Sequence, residues 1–294
     1  MTENFKPKKN GYQQQILSKE KFIEKRKAEK DAVYQMIDDA TNEIASDPAK
    51  LRDYLDTQSR MDRYTVNNAL LIYKQCPNAT QLKDFNDWAE AGVRVNKGSK
   101  SMMILEPYEY THPDGTPAIG YNVKKVFDVS QTNGKQTTAP SVNRDPRSLI
   151  AVMLDTAPVE VASADELPSP HMGAFYDNDK QTLFVKRDIG DSVALCQCVA
   201  QELSFAQLSL DSKAYSRRDM GFQAVCAGYM LCQKYGVDTK NFAINRLPET
   251  WKDMQPKDIR SDLTKAKNAF KDIHERVSTE IYRKRQERSK AAER

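Results

Sequence analysis

The sequence lacks the features that would place the protein in a membrane or outside the cell. It contains no run of about 18 apolar residues, the length that a helix needs to span a bilayer. Its first residues, MTENFKPKKNGYQQQ, are polar and do not contain the apolar stretch of a secretory signal. We therefore expect a cytoplasmic protein with no membrane partner.

Histidine and cysteine are scarce, and their spacing argues against a metal site. The five cysteines include no C-x-x-C pair, and most fall within apolar helical patterns, which predicts reduced thiols. The three histidines lie in separate predicted elements without the spacing of paired metal ligands: His112, His171 and His274. We expect no metal and no cofactor.

Motifs of common enzyme classes are also missing. The sequence has no G-x-x-x-x-G-K-[ST], no G-x-G-x-x-G and no G-x-S-x-G. These absences argue against a P-loop nucleotide hydrolase, a dinucleotide-dependent enzyme and a serine hydrolase of the α/β-hydrolase type.

Charge is distributed unevenly along the chain. The net charge is +4, but residues 1–30 hold nine Lys and Arg against four Glu, and residues 281–294 hold six against two. Basic ends on a mildly acidic body could contact nucleic acid phosphates. The alternative is that these runs are solvated ends of charged helices.

Hydrophobic periodicity predicts the elements of the first half. Apolar residues at helical spacing predict a long helix over 17–45, a second helix after Pro48, and a third in YTVNNALLIYKQC. The segment LKDFNDWAEAG is predicted to be a helix ended by Gly92. Two segments then alternate like paired strands around the turn HPDGTP: VRVNKGSKSMMILEPYEYT and IGYNVKKVFDVSQT.

The second half is predicted to be mostly helical. After NGKQTTAPSVNRDPRS, the pattern predicts one helix, a hairpin in GAFYDNDKQTLFVK, and three further helices. The fold class is therefore α+β, with two domains. The predicted divisions are a basic extension over 1–30, a first domain over 31–135, a linker over 136–147 and a second domain over 148–294.

A cluster of cations before the first predicted hairpin is a candidate phosphate site. Arg94, Lys97 and Lys100 surround Gly98 on a tight connection, where a phosphate could approach both side chains and exposed amides. Tyr64, Tyr73 and Trp88 are candidate stacking surfaces for unpaired bases. The alternatives are an ordinary solvated loop for the cations and core positions for Tyr73 and Trp88.

Residues 60–132 resemble the N-terminal single-stranded-DNA-binding domain of ArdC-type antirestriction proteins of conjugative elements. The similarity lies in Asn67-Asn68, Trp88, the Arg94-x-x-Lys97-Gly98-x-Lys100 loop and the strand Phe127-Asp128-Val129, in the order of the family. The resemblance implies binding of single-stranded DNA. The implied DNA-binding residues are Tyr64, Asn67, Asn68, Trp88, Arg94, Lys97, Gly98 and Lys100.

The second half resembles the zincin-like metallopeptidase domain that follows this module in related proteins, but it lacks the ligands. Where the family has H-E-x-x-H, this chain has Gln201-Glu202-Leu203-Ser204-Phe205, and Val225 stands where the third ligand is expected. Two imidazoles one turn apart would hold the zinc and the glutamate would activate its water. We expect an inactive zincin-like domain in which Glu202 is either a buried acid or a surface residue.

These observations predict a non-enzymatic single-stranded-DNA-binding protein of a mobile genetic element, with a role in antirestriction or DNA protection during transfer. Its expected partners are single-stranded DNA and a host restriction or conjugation protein. The alternative is a protein-interaction module that uses the inactive peptidase fold to bind a host or conjugation partner.

Overall fold

The structure, a computed structural model, describes residues 10–135, 145–187 and 190–292. The helices of the first half are α1 (Asn10–Ile44), α2 (Pro48–Arg60), α3 (Val66–Gln75) and α4 (Phe85–Glu90); those of the second half are α5 (Pro146–Asp155), α6 (Ser192–Asp211), α7 (Gly221–Lys234) and α8 (Pro256–Ala292). The strands are β1 (Leu82–Lys83), β2 (Met102–Thr111) and β3 (Pro117–Asp128), followed by β4 (Glu160–Ala164), β5 (Ala174–Asp177) and β6 (Thr182–Lys186). The predicted α+β class is confirmed.

Short polar side chains determine where several helices begin. Asp47 accepts a hydrogen bond from the Ala49 amide at 2.8 Å, and Pro48 occupies the first turn of α2. Asp191 caps α6 in the same way, accepting from the Val193 amide at 2.9 Å. Because these caps satisfy amides that have no partner inside the helix, the helix starts are encoded locally.

The segment LKDFNDWAEAG is not a helix from its first residue, as the periodicity predicted. Leu82 and Lys83 instead pair with Phe127 and Asp128 as a short strand, and Asp84 caps a helix that starts at Phe85. An aspartate whose carboxylate accepts the Asp87 amide favours a helix start over a helix interior. Gly92 lies just beyond the helix with φ of +71°, which suits a residue that ends a helix.

The first sheet has the order β1-β3-β2, and its long hairpin forms as predicted. β2 and β3 are antiparallel and paired from Met102 with Val126 to Thr111 with Pro117. β1 covers β3 only at Phe127 and Asp128, so the outer part of the hairpin has no further strand beside it. The hairpin therefore extends beyond the packed base of the sheet.

The second sheet contains one strand that the sequence pattern missed. Its order is β4-β6-β5, with β5 and β6 forming the predicted antiparallel hairpin and β4 parallel to β6. β4, of sequence EVASA, has only one large apolar residue, so its alternation is too weak to predict a strand. β5 lies at an edge of this sheet and packs against α6.

Both halves contribute to one continuous core. The main cluster of buried residues extends from Val33 in α1 to Ile281 in α8, and α2 packs on α7. Polar contacts also join the two halves. Arg260 pairs with Asp38 at 2.6 Å, and the Tyr229 hydroxyl donates to Asp56 at 2.8 Å. The predicted domain limits remain predictions, and most of the linker, at 136–144, lies outside the described residues.

Three cysteines, Cys196, Cys226 and Cys232, are buried, and all five are free thiols. Burial raises the pKa of the Cys226 thiol, which keeps it protonated. Within the described ranges, no helix is both long enough and apolar enough to cross a bilayer.

Candidate nucleic-acid interface and peptidase-like site

The three predicted phosphate-binding cations all face solvent. Arg94, Lys97 and Lys100 are exposed on the connection between α4 and β2. Across the described parts of the chain, no ion pair or hydrogen bond engages their charged groups. Their charges are therefore available to a ligand, because no carboxylate of the protein competes for them.

The backbone that carries these cations is fixed by the segment after β3. The Asn133 side chain accepts from the Arg94 amide at 2.8 Å, and the Gln131 carbonyl accepts from the Asn96 amide at 2.9 Å. The Gln131 amide group donates to the Lys100 carbonyl at 2.7 Å. Gly98 has φ of +87°, a left-handed conformation that side chains with a Cβ rarely adopt. The connection is thus a defined loop with its cations directed outward.

Asp128, a residue of the family-like Phe127-Asp128-Val129 strand, anchors this arrangement. Its buried carboxylate accepts from the amides of Thr80, Gln81 and Ser130 at 2.7, 3.0 and 2.9 Å. Burial alone would raise the pKa of Asp128, but these hydrogen bonds outweigh it and lower the pKa. The Asp128 amide in turn donates to the Gln131 side chain at 2.9 Å, linking the carboxylate to the residue that holds the loop.

Two predicted contact residues, Trp88 and Asn68, are buried and hydrogen-bonded to the backbone of the first sheet. The Trp88 ring is only 3% exposed, and its Nε1–H donates to the Phe127 carbonyl at 3.0 Å. Asn68 is buried and makes paired hydrogen bonds with the Leu105 amide and carbonyl, both at 2.8 Å. Trp88 thus joins α4 to β3 and Asn68 joins α3 to β2, and a contact of either residue with DNA stays a prediction.

Tyr64 and Asn67 are half-buried and stay candidates for a contact. Tyr64 packs against the small core beneath β2 and β3, and burial raises the pKa of its hydroxyl despite the nearby Lys124 ammonium. Its hydroxyl therefore stays protonated and can serve as a hydrogen-bond donor at neutral pH.

In the second half, Glu202 is a buried acid rather than a surface residue. Its side chain forms a two-point ion pair with Arg217, with Oε1 to Nη2 at 2.6 Å and Oε2 to Nη1 at 2.9 Å. Oε2 also accepts from the Tyr176 amide of β5 at 2.8 Å. Both carboxylate oxygens of Glu202 are therefore engaged by groups of the protein.

Arg217 is held between two aromatic rings. Its guanidinium carbon lies 3.9 Å from the centroid of Phe205 and 4.9 Å from that of Phe175. Phe205 is the residue that the sequence resemblance aligns with the second histidine of H-E-x-x-H, and the guanidinium stacks on its ring. The positive charge beside Glu202 is thus supplied by the protein itself.

The remaining degenerate positions offer no compensating ligands. Gln201 is half-buried, and α7 approaches it closely, because a Cβ on Gly228 would lie 3.0 Å from the Gln201 Cα. Val225, one turn before Gly228 on α7, is half-buried and has no donor atom. Among the described residues, no group of three His, Cys, Asp or Glu side chains is arranged to hold a metal ion.

Arg217 is the functional-site residue that sequence reasoning missed. It lies 15 residues beyond Glu202, in the connection between α6 and α7, where Arg217-Arg218 is a typical solvated pair. An arginine close in sequence to a glutamate inside an apolar helical pattern is a signal that could have found it.

Comparison with known proteins places these features in a family. Residues 27–142 match the family model of the N-terminal domain of anti-restriction factor ArdC. These residues are therefore similar to the ArdC N-terminal domain. This ArdC-type segment contains the cationic loop, Asp128 and the whole β2–β3 hairpin, so the resemblance predicted from the sequence is confirmed.

The fold is similar to that of the antirestriction protein ArdC of plasmid R388. Its metal-free crystal structure superposes with a TM-score of 0.51 at 18% identity, covering 74% of this chain and 86% of that one. The Mn(II)-bound structure gives a TM-score of 0.52 at 17% identity, covering 73% and 85%. The chain thus shares with R388 ArdC a fold that extends well beyond the N-terminal domain.

A curated relative has no assigned activity. The uncharacterized protein pXO2-81 of Bacillus anthracis is 20% identical over 90% of this chain. The chain spans only 53% of the length of that relative.

Proposed function

We propose that this protein binds single-stranded DNA through the loop of Arg94, Lys97 and Lys100 and protects DNA of a mobile element during transfer. The observation that carries the proposal is a set of exposed, unpaired cations on a backbone fixed by Asp128, Gln131 and Asn133. Cations held in this way bind phosphates, because no internal ion pair has to be broken. The preference for single strands and the antirestriction role are what the resemblance to the ArdC N-terminal domain implies.

The DNA-binding proposal is tested by fluorescence anisotropy with a labelled oligothymidylate and with a duplex of equal length at the same salt concentration. We expect tighter binding of the single strand, and binding of both to weaken as salt rises. Equal or tighter binding of the duplex would contradict the single-strand proposal, and absence of both would contradict DNA binding altogether.

We further propose that the second half is a non-catalytic zincin-like scaffold. R388 ArdC has been crystallised with Mn(II), so a metal is the natural question for this fold. The residues here do not fit one: Gln201 is a weak neutral ligand, Phe205 and Val225 have no donor, and Glu202 is bound to Arg217. Elemental analysis should find neither zinc nor manganese at one atom per chain, and a tightly held stoichiometric metal would overturn this proposal.

The converse experiment restores the ligands and uses Arg217 as its control. Gln201→His, Phe205→His and Val225→Glu, combined with Arg217→Ala, should bind zinc once the variant is shown to be folded. The same triple change with Arg217 retained should bind it much more weakly, because the guanidinium competes for Glu202 and its charge repels the ion. Equal zinc uptake by both would mean that Arg217 does not occupy the former metal site.

A second candidate function, a protein-interaction module, is favoured by one cavity. A cavity of about 290 Å³ lies along α6, lined by Met172, Cys198, Gln201 and Phe242 among others. It could accept an apolar side chain of a host restriction or conjugation protein. Loss of transfer-related function in a Phe242→Ala variant that binds DNA normally would favour this alternative.

A further inference from the structure

The outer part of the β2–β3 hairpin is exposed on both faces. Residues 106–111 of β2 are all exposed, whereas Met102, Ile104 and Leu105 at its base are buried. The hairpin stays paired to its end, with the His112 amide donating to the Thr116 carbonyl at 2.8 Å. A ribbon that is paired but not packed presents its side chains to a partner.

One face of this ribbon carries a row of aromatic rings, formed by Tyr108, Tyr110 and His112. Tyr108 and Tyr110 alternate along β2 and therefore point to the same side, and His112, the residue just after β2, continues the row through its ring contact with Tyr110. The ring centroids lie 5.8 Å apart for the first pair and 5.0 Å apart for the second. Tyr108 and Tyr110 are 42% and 41% exposed, which is high for two large rings in contact.

Gly120, opposite Tyr108 on β3, makes room for the row. A Cβ at this position would lie 2.4 Å from the Tyr108 ring, so the ring lies directly over the glycine backbone. Glycine without a side chain thus lets Tyr108 lie flat on the strand, leaving its other side to solvent. The row is a preformed stacking surface that needs little ordering on binding.

The charges around the row suit a polyanion. Glu106, on the same face, is neutralised by Lys124 at 2.8 Å, and Glu109 lies on the opposite face. Asn122, beside Gly120 on β3, accepts a hydrogen bond from Arg26 of α1 at 3.0 Å. That contact brings to the edge of the ribbon a helix segment, residues 20–30, with five Lys and Arg against three Glu.

We infer that Tyr108, Tyr110 and His112 stack unpaired bases of the DNA strand whose phosphates the cationic loop binds. The inference rests on the proposed function. Tyr108 lies six residues along β2 from Met102, about 20 Å from the loop end of the strand. A single strand of about six nucleotides at stacked spacing covers that distance. Stacking tolerates any base, which suits protection of DNA of any sequence.

The test compares Tyr110→Ala with the wild-type protein on two probes of equal length and charge: oligothymidylate and a fully abasic deoxyribose-phosphate strand. We expect Tyr110→Ala to weaken binding of oligothymidylate roughly 5- to 30-fold. Its affinity for the abasic strand should fall much less. The salt dependence of binding should not change, because no phosphate contact is removed. Tyr110→Phe should restore binding, since the ring remains.

Ile119→Ala is the matched control, because Ile119 is 61% exposed on the other face of the same hairpin. It should bind both probes like the wild-type protein. If the wild-type protein binds oligothymidylate and Tyr110→Ala binds equally well, or loses equal affinity for both probes, the stacking inference is wrong while the proposed function stands. If the wild-type protein binds no single strand, the proposed function itself fails.

Discussion

The cationic loop of the first half and the Glu202–Arg217 pair of the second half use arginine in opposite ways. Arg94 is exposed, with no partner for its guanidinium in the described structure, whereas Arg217 is bound at two points to a buried carboxylate and lies between two rings. The first arrangement leaves a charge available to a ligand. In the second arrangement the arginine charge is paired with the Glu202 carboxylate inside the protein.

Whether an arginine is already paired matters more for ligand binding than how many arginines a region contains. A guanidinium can bind a phosphate strongly only if it does not first have to leave a carboxylate. Conversely, a glutamate can act as a base only if its oxygens are not already paired. The first site therefore has charged groups without an internal partner, whereas the charged groups of the second site are paired with each other.

The largest expected effect is on stability, from Arg217→Ala. Removing the guanidinium leaves Glu202, only 4% exposed at its side chain, without its counter-charge. We expect the free energy of unfolding to fall by about 3–5 kcal/mol, measured by urea denaturation. The double change Glu202→Gln with Arg217→Met should recover much of this loss, because no buried charge remains.

A variant at the neighbouring arginine is the control for Arg217→Ala. Arg218→Ala, at the neighbouring arginine with no ion pair in the described structure, should change stability by less than about 0.5 kcal/mol. If Arg217→Ala is as mild as Arg218→Ala, the guanidinium does not balance a buried carboxylate.

The next effect concerns the support of the cationic loop. Asp128→Ala removes the carboxylate that accepts hydrogen bonds from the amides of Thr80, Gln81 and Ser130. We expect the free energy of unfolding to fall by about 3 kcal/mol. DNA affinity should also fall, since the turn that contains Gln131 loses its side-chain cap, although the backbone amide of residue 128 can still donate to the Gln131 side chain. Asp114→Ala, in the exposed hairpin turn, is the control and should change neither stability nor DNA affinity appreciably. If both variants lose similar stability and affinity, Asp128 does not anchor the loop.

A smaller effect, on the pH dependence of stability, is expected from Asp62. This residue of the first half contacts Lys234 and His274 of the second half. Burial alone would raise its pKa, but hydrogen bonds from His274 and Lys234 lower it to about 2 from 3.8. A lowered pKa stabilises the fold above about pH 4, and this contribution is lost as the pH falls from about 4 to 2. It amounts to about 2 kcal/mol.

Asp62→Asn should therefore be less stable than the wild-type protein at pH 7 by about that amount, with the difference vanishing near pH 2. Urea denaturation at several pH values measures it. A difference that is independent of pH would show that packing, rather than the charge of Asp62, is responsible.

Sequence patterns predicted the elements well where local chemistry encodes them. The caps at Asp47 and Asp191 and the turn at Gly115 are local signals, and the corresponding helices and hairpin formed as predicted. β4 was missed because its pairing with β6 depends on distant residues. The exposed loop cations could also be predicted, because charged residues beside a left-handed glycine rarely become buried.

The roles of Trp88, Asn68 and Arg217 could not be read from the sequence, since each depends on a distant partner. Trp88 donates a hydrogen bond to the Phe127 carbonyl, 39 residues away in sequence, and Asn68 accepts one from the Leu105 amide, 37 residues away. A tryptophan or asparagine has the same sequence signature whether it contacts DNA or a neighbouring strand. Only tertiary packing decides between the two.

The salt dependence of single-strand binding tests the central claim most directly, because it counts phosphate contacts. The variant Arg94→Ala, Lys97→Ala, Lys100→Ala is compared with Lys180→Ala, Lys240→Ala, Lys252→Ala, which removes the same charge from exposed positions of the second half. We predict that the loop variant binds oligothymidylate more weakly, with a log–log salt slope reduced by about 0.7 per lost phosphate contact, while the control stays near the wild-type slope. Equal slopes for the loop variant and the wild-type protein would contradict the account.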